Sequence, residues 1–191
     1  HDIADYIAVN ISSPNTENLR DFHEQTKLDE LLNSIEQEKT NLKSNVPIVV
    51  KISPDVSENQ VQQISEILLK YQVEAIIVSN TTEGNRENLQ NTSKHQKGGL
   101  SGKPLELKSN QLINKFYNFL KDKIYIIGVG GVDSGKSAYN KFLAGANYIQ
   151  LYTGMVFQGP NIVSKIKKEL KKLLINDGVK NFKEIVGKNN N

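Results

Sequence analysis

The stretch IYIIGVGGVDSGKSAY, Ile124 to Tyr139, admits two readings, and they lead to different folds. Gly130 to Ser137 satisfies the nucleotide-triphosphate pattern G-x-x-x-x-G-K-[ST] letter for letter, behind an apolar β-rich run. On that reading the protein is a P-loop nucleotide hydrolase or switch. On the other, Gly130 and Gly131 close a turn after a strand, and their backbone N–H groups hold a different phosphate. A P-loop protein needs a partner motif, a later strand ending in an aspartate that helps to hold Mg²⁺. Only one apolar run follows, NYIQLYT, and it ends in Tyr152 and Thr153. The second reading is therefore favoured, with Lys136 and Ser137 placed in the first turn of a surface helix.

Working outward, the run at Ile124–Val129 is one of five. The others are Asp5–Ile11 (DYIAVNI), Pro47–Ile52 (PIVVKI), Glu74–Ser79 (EAIIVS) and Asn147–Tyr152 (NYIQLY). All are nearly continuous in apolar residues, the pattern of parallel strands covered on both faces. Helical periodicity lies between them: Leu28, Leu31, Leu32 and Ile35 share a face, as do Val61, Ile64 and Leu68. Ser57 with Gln60 predicts a capping box. The longest apolar stripe is Ile162, Ile166, Leu170, Leu173 and Leu174, with Gly178 placed to end the helix.

Alternating strands and helices predict a parallel α/β sheet. Every strand is followed by polar or glycine residues of chemical interest, the habit of a (β/α)₈ TIM barrel, whose site gathers at the C-terminal ends of all strands. A doubly wound sheet would concentrate its site at one switch point. Barrels frequently bind phosphate through the loops after the last two strands. GVGGVDSG and LYTGMVFQGP fit those positions, which makes the five visible strands the fourth to the eighth. The expectation is one barrel domain over residues 1–191, incomplete at its N-terminal side.

Composition sets further bounds. Lys and Arg number 24 against 21 Asp and Glu, and the resulting +3 is too small to argue for a nucleic-acid partner. There is no cysteine, which excludes disulfides, thiolate metal sites and cysteine nucleophiles. Three histidines, His1, His23 and His95, form no metal constellation. No apolar run approaches the ~20 residues that span a bilayer.

Taken together, five segments resemble the dihydroorotate dehydrogenase family of flavin-dependent barrel enzymes. They are Val9–Thr16 (VNISSPNT), Ser79–Thr82 (SNTT), Gly98–Gly102 (GGLSG), Gly128–Gly131 (GVGG) and Gln150–Thr153 (QLYT). They follow in that family's order, and the likeness runs from Ala4 to Gly187. The resemblance implies oxidation of dihydroorotate to orotate in pyrimidine synthesis, with FMN as cofactor. Serine at Ser13, where the soluble branch generally has cysteine, resembles the membrane-associated, quinone-reducing branch. That implies peripheral attachment to the mitochondrial or bacterial inner membrane, with the quinone site and membrane contact outside this chain.

The resemblance also assigns residues. Ser13 stands where the family keeps its catalytic base; its own acidity is too weak for that role, so a relay to water, through Thr16, is expected. A turn serine before Pro14 is the alternative. Asn10, Asn15, Asn80 and Thr81 would bind the substrate, since an amide offers a donor and an acceptor to a pyrimidine edge; Asx turns are the alternative. Lys51, the only charge in PIVVKI, is a snorkelling lysine or a cation near the flavin N1/O2 edge. Ser79 and Ser101 would contact the flavin, and Gly102, Gly130, Gly131, Tyr152 and Thr153 would bind ribityl or phosphate oxygens. Glu17–Thr26 would close as a lid, Glu83–Lys97 would form an excursion or disorder, and Gly187–Asn191 a frayed tail. Another FMN reductase of a pyrimidine-like ring is the rival of the same fold.

Overall fold

Each of the five apolar runs forms a strand in the computed structural model, which describes residues 3–84 and 86–190. His1 and the last residue of the expected tail, Asn191, lie outside them. The strands are β1 Ile7–Asn10, β2 Ile48–Ile52, β3 Ala75–Val78, β4 Tyr125–Val129 and β5 Tyr148–Gln150. Between and after them run α1 Gln25–Asn41, α2 Glu58–Lys70, α3 Glu106–Leu120, α4 Gly135–Ala144, α5 Thr153–Gln158 and α6 Ile162–Asn176. The sheet order is β1-β2-β3-β4-β5, with every pairing parallel. No strand skips a neighbour, so there is no switch point, and the sheet is the arc of a barrel rather than a doubly wound layer.

Register partners on adjacent parallel strands share a face. Val50, Ile76 and Ile126 lie on the outer face and pack with Leu28, Leu32, Ile64, Leu68, Ile113 and Phe116 from the helices. Burying each such side chain contributes roughly 1.5–3 kcal/mol, so this layer is where the fold gains most. The inner face carries a second cluster, Val49, Ala75 and Ile77 with Ile127 and Val129. Asn10 and Lys51 are register partners on that inner face, at the C-terminal end of their strands.

Two capping expectations hold. Ser57 and Gln60 make the reciprocal capping box of α2, and Gly178, at φ +67°, follows the end of α6 in the left-handed conformation. Two expectations need correction. The helix α4 is not a surface helix: Ser137, Ala138, Tyr139, Lys141, Phe142 and Ala144 are buried because α3 and α6 cover it. The tail is not frayed at its start, where Gly187 N–H donates to the Phe142 carbonyl at 3.0 Å and Lys188–Asn190 makes a 3₁₀ turn. Of the two readings of residues 83–97, the excursion fits: the Arg86 guanidinium donates to the carbonyls of Lys94, Gln96 and Gly98 and closes the segment on itself.

Lys141 is fully buried, and its Nζ donates to Ser109 Oγ at 3.0 Å and Asn110 Oδ1 at 2.9 Å. Burial pushes its pKa down from 10.5 to about 7, against a weaker upward pull from Glu106. Between those two values the unfolded chain holds a proton that the folded chain has lost. Stability therefore rises with pH across that window, by up to ~1.4 kcal/mol per pH unit. Relative to the parent, Lys141→Met should fare best at pH 7 and progressively worse toward pH 10 in urea unfolding. A stability difference independent of pH would contradict this.

Candidate active site

The loops that follow β3, β4 and β5 meet, with Lys51 of β2, at one end of the sheet around a cavity of about 450 Å³, a size that suits a cofactor. Ten of the thirteen residues expected at the site line it: Lys51, Ser79, Asn80, Thr81, Ser101, Gly102, Gly130, Gly131, Tyr152 and Thr153. They come from β2, from the β3, β4 and β5 ends, and from the segment before α3. Thr153 Oγ1 donates to Ser101 Oγ at 3.0 Å, which ties the last loop to that segment.

The other three, Asn10, Ser13 and Asn15, lie at or just beyond the end of β1 and do not line the cavity; of them, Asn10 meets it through Asn80. Asn80 Nδ2 donates to Ser12 Oγ at 3.0 Å and reaches Asn10 Oδ1 at 3.4 Å. Ser12 Oγ in turn donates to Asn10 Oδ1 at 2.6 Å. Asn80 Oδ1 accepts the Thr81 N–H at 2.8 Å, so both ends of the amide are fixed and its orientation follows from its partners. Sequence reasoning missed Ser12, which is fully buried and bridges two asparagines 70 residues apart. Ser13 Oγ accepts the Asn15 N–H at 3.2 Å, a local turn bond, and its own proton is left to point elsewhere. The expected relay through Thr16 finds no support: no hydrogen bond joins Ser13 to Thr16 among the described residues.

Lys51 is half-buried, and burial lowers its pKa. Among the described residues it forms no ion pair, so its charge faces the cavity uncompensated. On the far wall Gly130 and Gly131 adopt φ +111° and +73°. A Cβ on Gly131 would lie 2.7 Å from the Glu106 backbone, so only glycine lets α3 and this turn approach so closely. Among the described residues the N–H groups of Gly131, Tyr152 and Thr153 find no protein acceptor. Backbone donors on the wall of one cavity fit a phosphate group.

The same geometry disposes of the P-loop reading. Lys136 Nζ lies 5.5 Å over the Tyr139 ring, outside the cavity. Ser137 Oγ donates to the Ser134 carbonyl and accepts from the Asp133 and Ser134 N–H groups, so no lone pair is aimed at a metal. Gly135 N–H donates to the Glu169 carboxylate at 2.7 Å. An acidic side chain thus holds the place a triphosphate would need. Nor do the described residues contain a cluster able to hold a metal ion. His23 is buried, with Nε2 accepting the Ser53 N–H at 3.0 Å and Nδ1 therefore donating to the Arg20 carbonyl at 2.7 Å.

Residues 1–174 match the sequence profile of the family described as dihydroorotate dehydrogenase. The chain belongs to that family. It is 45% identical over 190 residues to the quinone-type dihydroorotate dehydrogenase of Bartonella tribocorum, covering 96% of this chain and 52% of that protein. To the mitochondrial quinone-type enzyme of Mus musculus it is 40% identical over 187 residues, covering 97% of this chain and 47% of that one. The crystal structure of the Eimeria tenella dihydroorotate dehydrogenase in complex with ferulenol superposes with a TM-score of 0.93. Its sequence is 31% identical, with 97% of this chain and 54% of that one covered. The chain thus spans about half the length of the dihydroorotate dehydrogenases it matches, and the arc of five strands is part of their barrel architecture.

Proposed function

We propose that this chain carries the substrate edge and the phosphate anchor of an FMN-dependent dihydroorotate dehydrogenase, which oxidises dihydroorotate to orotate for pyrimidine synthesis. What carries the reading is the convergence of Lys51, Ser79, Asn80, Gly131 and Thr153 on one cavity, within a chain whose relatives are quinone-type dihydroorotate dehydrogenases.

Oxidation of dihydroorotate removes a proton from one ring carbon and a hydride from its neighbour. Bound FMN would supply the hydride acceptor and pass electrons on to a quinone. The protein's share is the rest. Ser13 Oγ takes the proton, relayed to solvent, from a ring held by the Asn10, Asn15 and Asn80 amides and Thr81. The amide of Asn80, locked by Ser12 and the Thr81 N–H, presents a fixed polar edge and loses no freedom on binding. Lys51 stabilises negative charge at the pyrimidine edge of the flavin. Ser79 and Ser101 contact the cofactor. The backbone N–H groups of Gly102, Gly130, Gly131, Tyr152 and Thr153 would donate to its ribityl and phosphate oxygens. Residues 17–26 cover the substrate and keep water from the reacting carbons.

Among the described residues no helix is long and apolar enough to cross a membrane. Peripheral attachment to the mitochondrial inner membrane, or to a bacterial inner membrane, is proposed from the quinone-type relatives, with the quinone site outside this chain.

The reading is tested with purified holoprotein under anaerobic conditions. Dihydroorotate should bleach its yellow absorption while dihydrouracil, which lacks the carboxylate, leaves it unchanged. Equal bleaching by both would transfer the protein to another pyrimidine-ring reductase.

A further inference from the structure

Arg20 lies in the 3₁₀ segment Leu19–His23, and its guanidinium reaches four acceptors on three different βα loops. Nε donates to the carbonyl of Ser12, in the peptide that leads into Ser13, at 3.4 Å. Nη2 donates to the carbonyl of Thr81 at 3.2 Å, one residue beyond Asn80. Nη1 is held by Asp55 Oδ2 at 3.2 Å and Glu83 Oε2 at 3.0 Å. Asp55, from the loop after β2, is itself fixed: it accepts from Thr82 Oγ1 at 2.5 Å and from the Glu83 N–H at 3.1 Å, and it pairs with Lys108. The side chains of Arg20 and Asp55 are each 23% exposed. Ion pairs this accessible add little to global stability. Their value is geometric, since a planar fork of donors fixes several acceptors at once where an ammonium cannot.

Resting on the functional reading above, we propose that Arg20 is a positioning residue. It sets the spacing between the Ser13 hydroxyl and the Asn80–Thr81 edge, with Asp55 as its anchor. The two loops it staples carry the proton acceptor and the substrate amides. The phosphate turns after β4 and β5 lie outside its reach, so cofactor binding should not depend on it.

The test is anaerobic single-turnover reduction of the holoenzyme by dihydroorotate. Arg20→Ala should keep its full flavin content and reduce about 100-fold more slowly, the cost of a misplacement near 1 Å. Affinity for orotate should change far less. Millimolar guanidinium ion should restore a large share of the Arg20→Ala rate, and Arg20→Lys should stay slow because it cannot span the acceptors. Should Arg20→Ala fail to fold, Asp55→Asn releases the same anchor and should slow reduction with flavin retained. A wild-type rate in either variant, or a loss accompanied by flavin release and not rescued by guanidinium, would overturn the proposal. A wild-type flavin that dihydroorotate never bleaches would instead remove the functional reading, and the positioning role with it.

Discussion

Ser13→Ala is expected to slow reduction of the bound flavin by dihydroorotate by ~10²–10⁴-fold, the range for loss of a general base, while dihydroorotate still binds. Ser13 is half-buried just beyond β1, and among the described residues its Oγ accepts the Asn15 N–H and no other. Alanine removes the hydroxyl that would take the proton, together with the acceptor of the Asn15 N–H. A serine hydroxyl ionises far above neutral pH, so the base form is scarce and the rate should climb with pH through the neutral range. Ser13→Cys tests the sign. A thiol ionises near pH 8.5, so the climb should begin at lower pH than in the parent. Stopped-flow traces across the pH range read both effects. Full bleaching rates in Ser13→Ala would remove Ser13 from the base role and leave it a turn serine.

The second large effect is expected at Lys51. Replacement by methionine keeps the length and the apolar stem and removes the charge. Lys51 is half-buried and forms no ion pair among the described residues, so its charge would be little screened from an anion bound in the cavity. Loss of one such group should cost about 10²–10³-fold in the rate of flavin reduction. It should also shift the flavin midpoint potential downward, because a positive charge facing the bound ring would be lost. Lys51→Arg should recover part of the potential. A potential unmoved in Lys51→Met would place the lysine away from the ring, as a strand-end side chain whose head only seeks water.

The strands were legible because a parallel strand covered on both faces is apolar throughout, as PIVVKI is. Their observed limits, such as Ile7–Asn10 within Asp5–Ile11, are shorter because the register with β2 runs only from Ile7–Ile48 to Asn10–Lys51. The helix α3 escaped notice although Leu112, Phe116 and Leu120 recur at four-residue spacing. Asn110, Gln111, Asn114 and Asn118 dilute that stripe, and its start has no side-chain cap to announce it. Lys141 and Ser12 read as ordinary polar residues for a related reason: only tertiary packing buries them, Lys141 against Ser109 and Ser12 against Asn80. The site itself was legible as residue types at strand ends. Its supporting frame was not, since Arg20 meets Asp55 and Glu83 across 35 and 63 residues of chain.

The most direct measurement of the central claim is equilibrium binding of FMN to flavin-stripped protein, followed by quenching of flavin fluorescence, with Mg·ATP as competitor. One FMN should bind per chain, ATP should not displace it, and Gly131→Ala should abolish binding while Lys136→Ala leaves it intact. Nucleotide binding that depends on Lys136, with no uptake of flavin, would contradict the account.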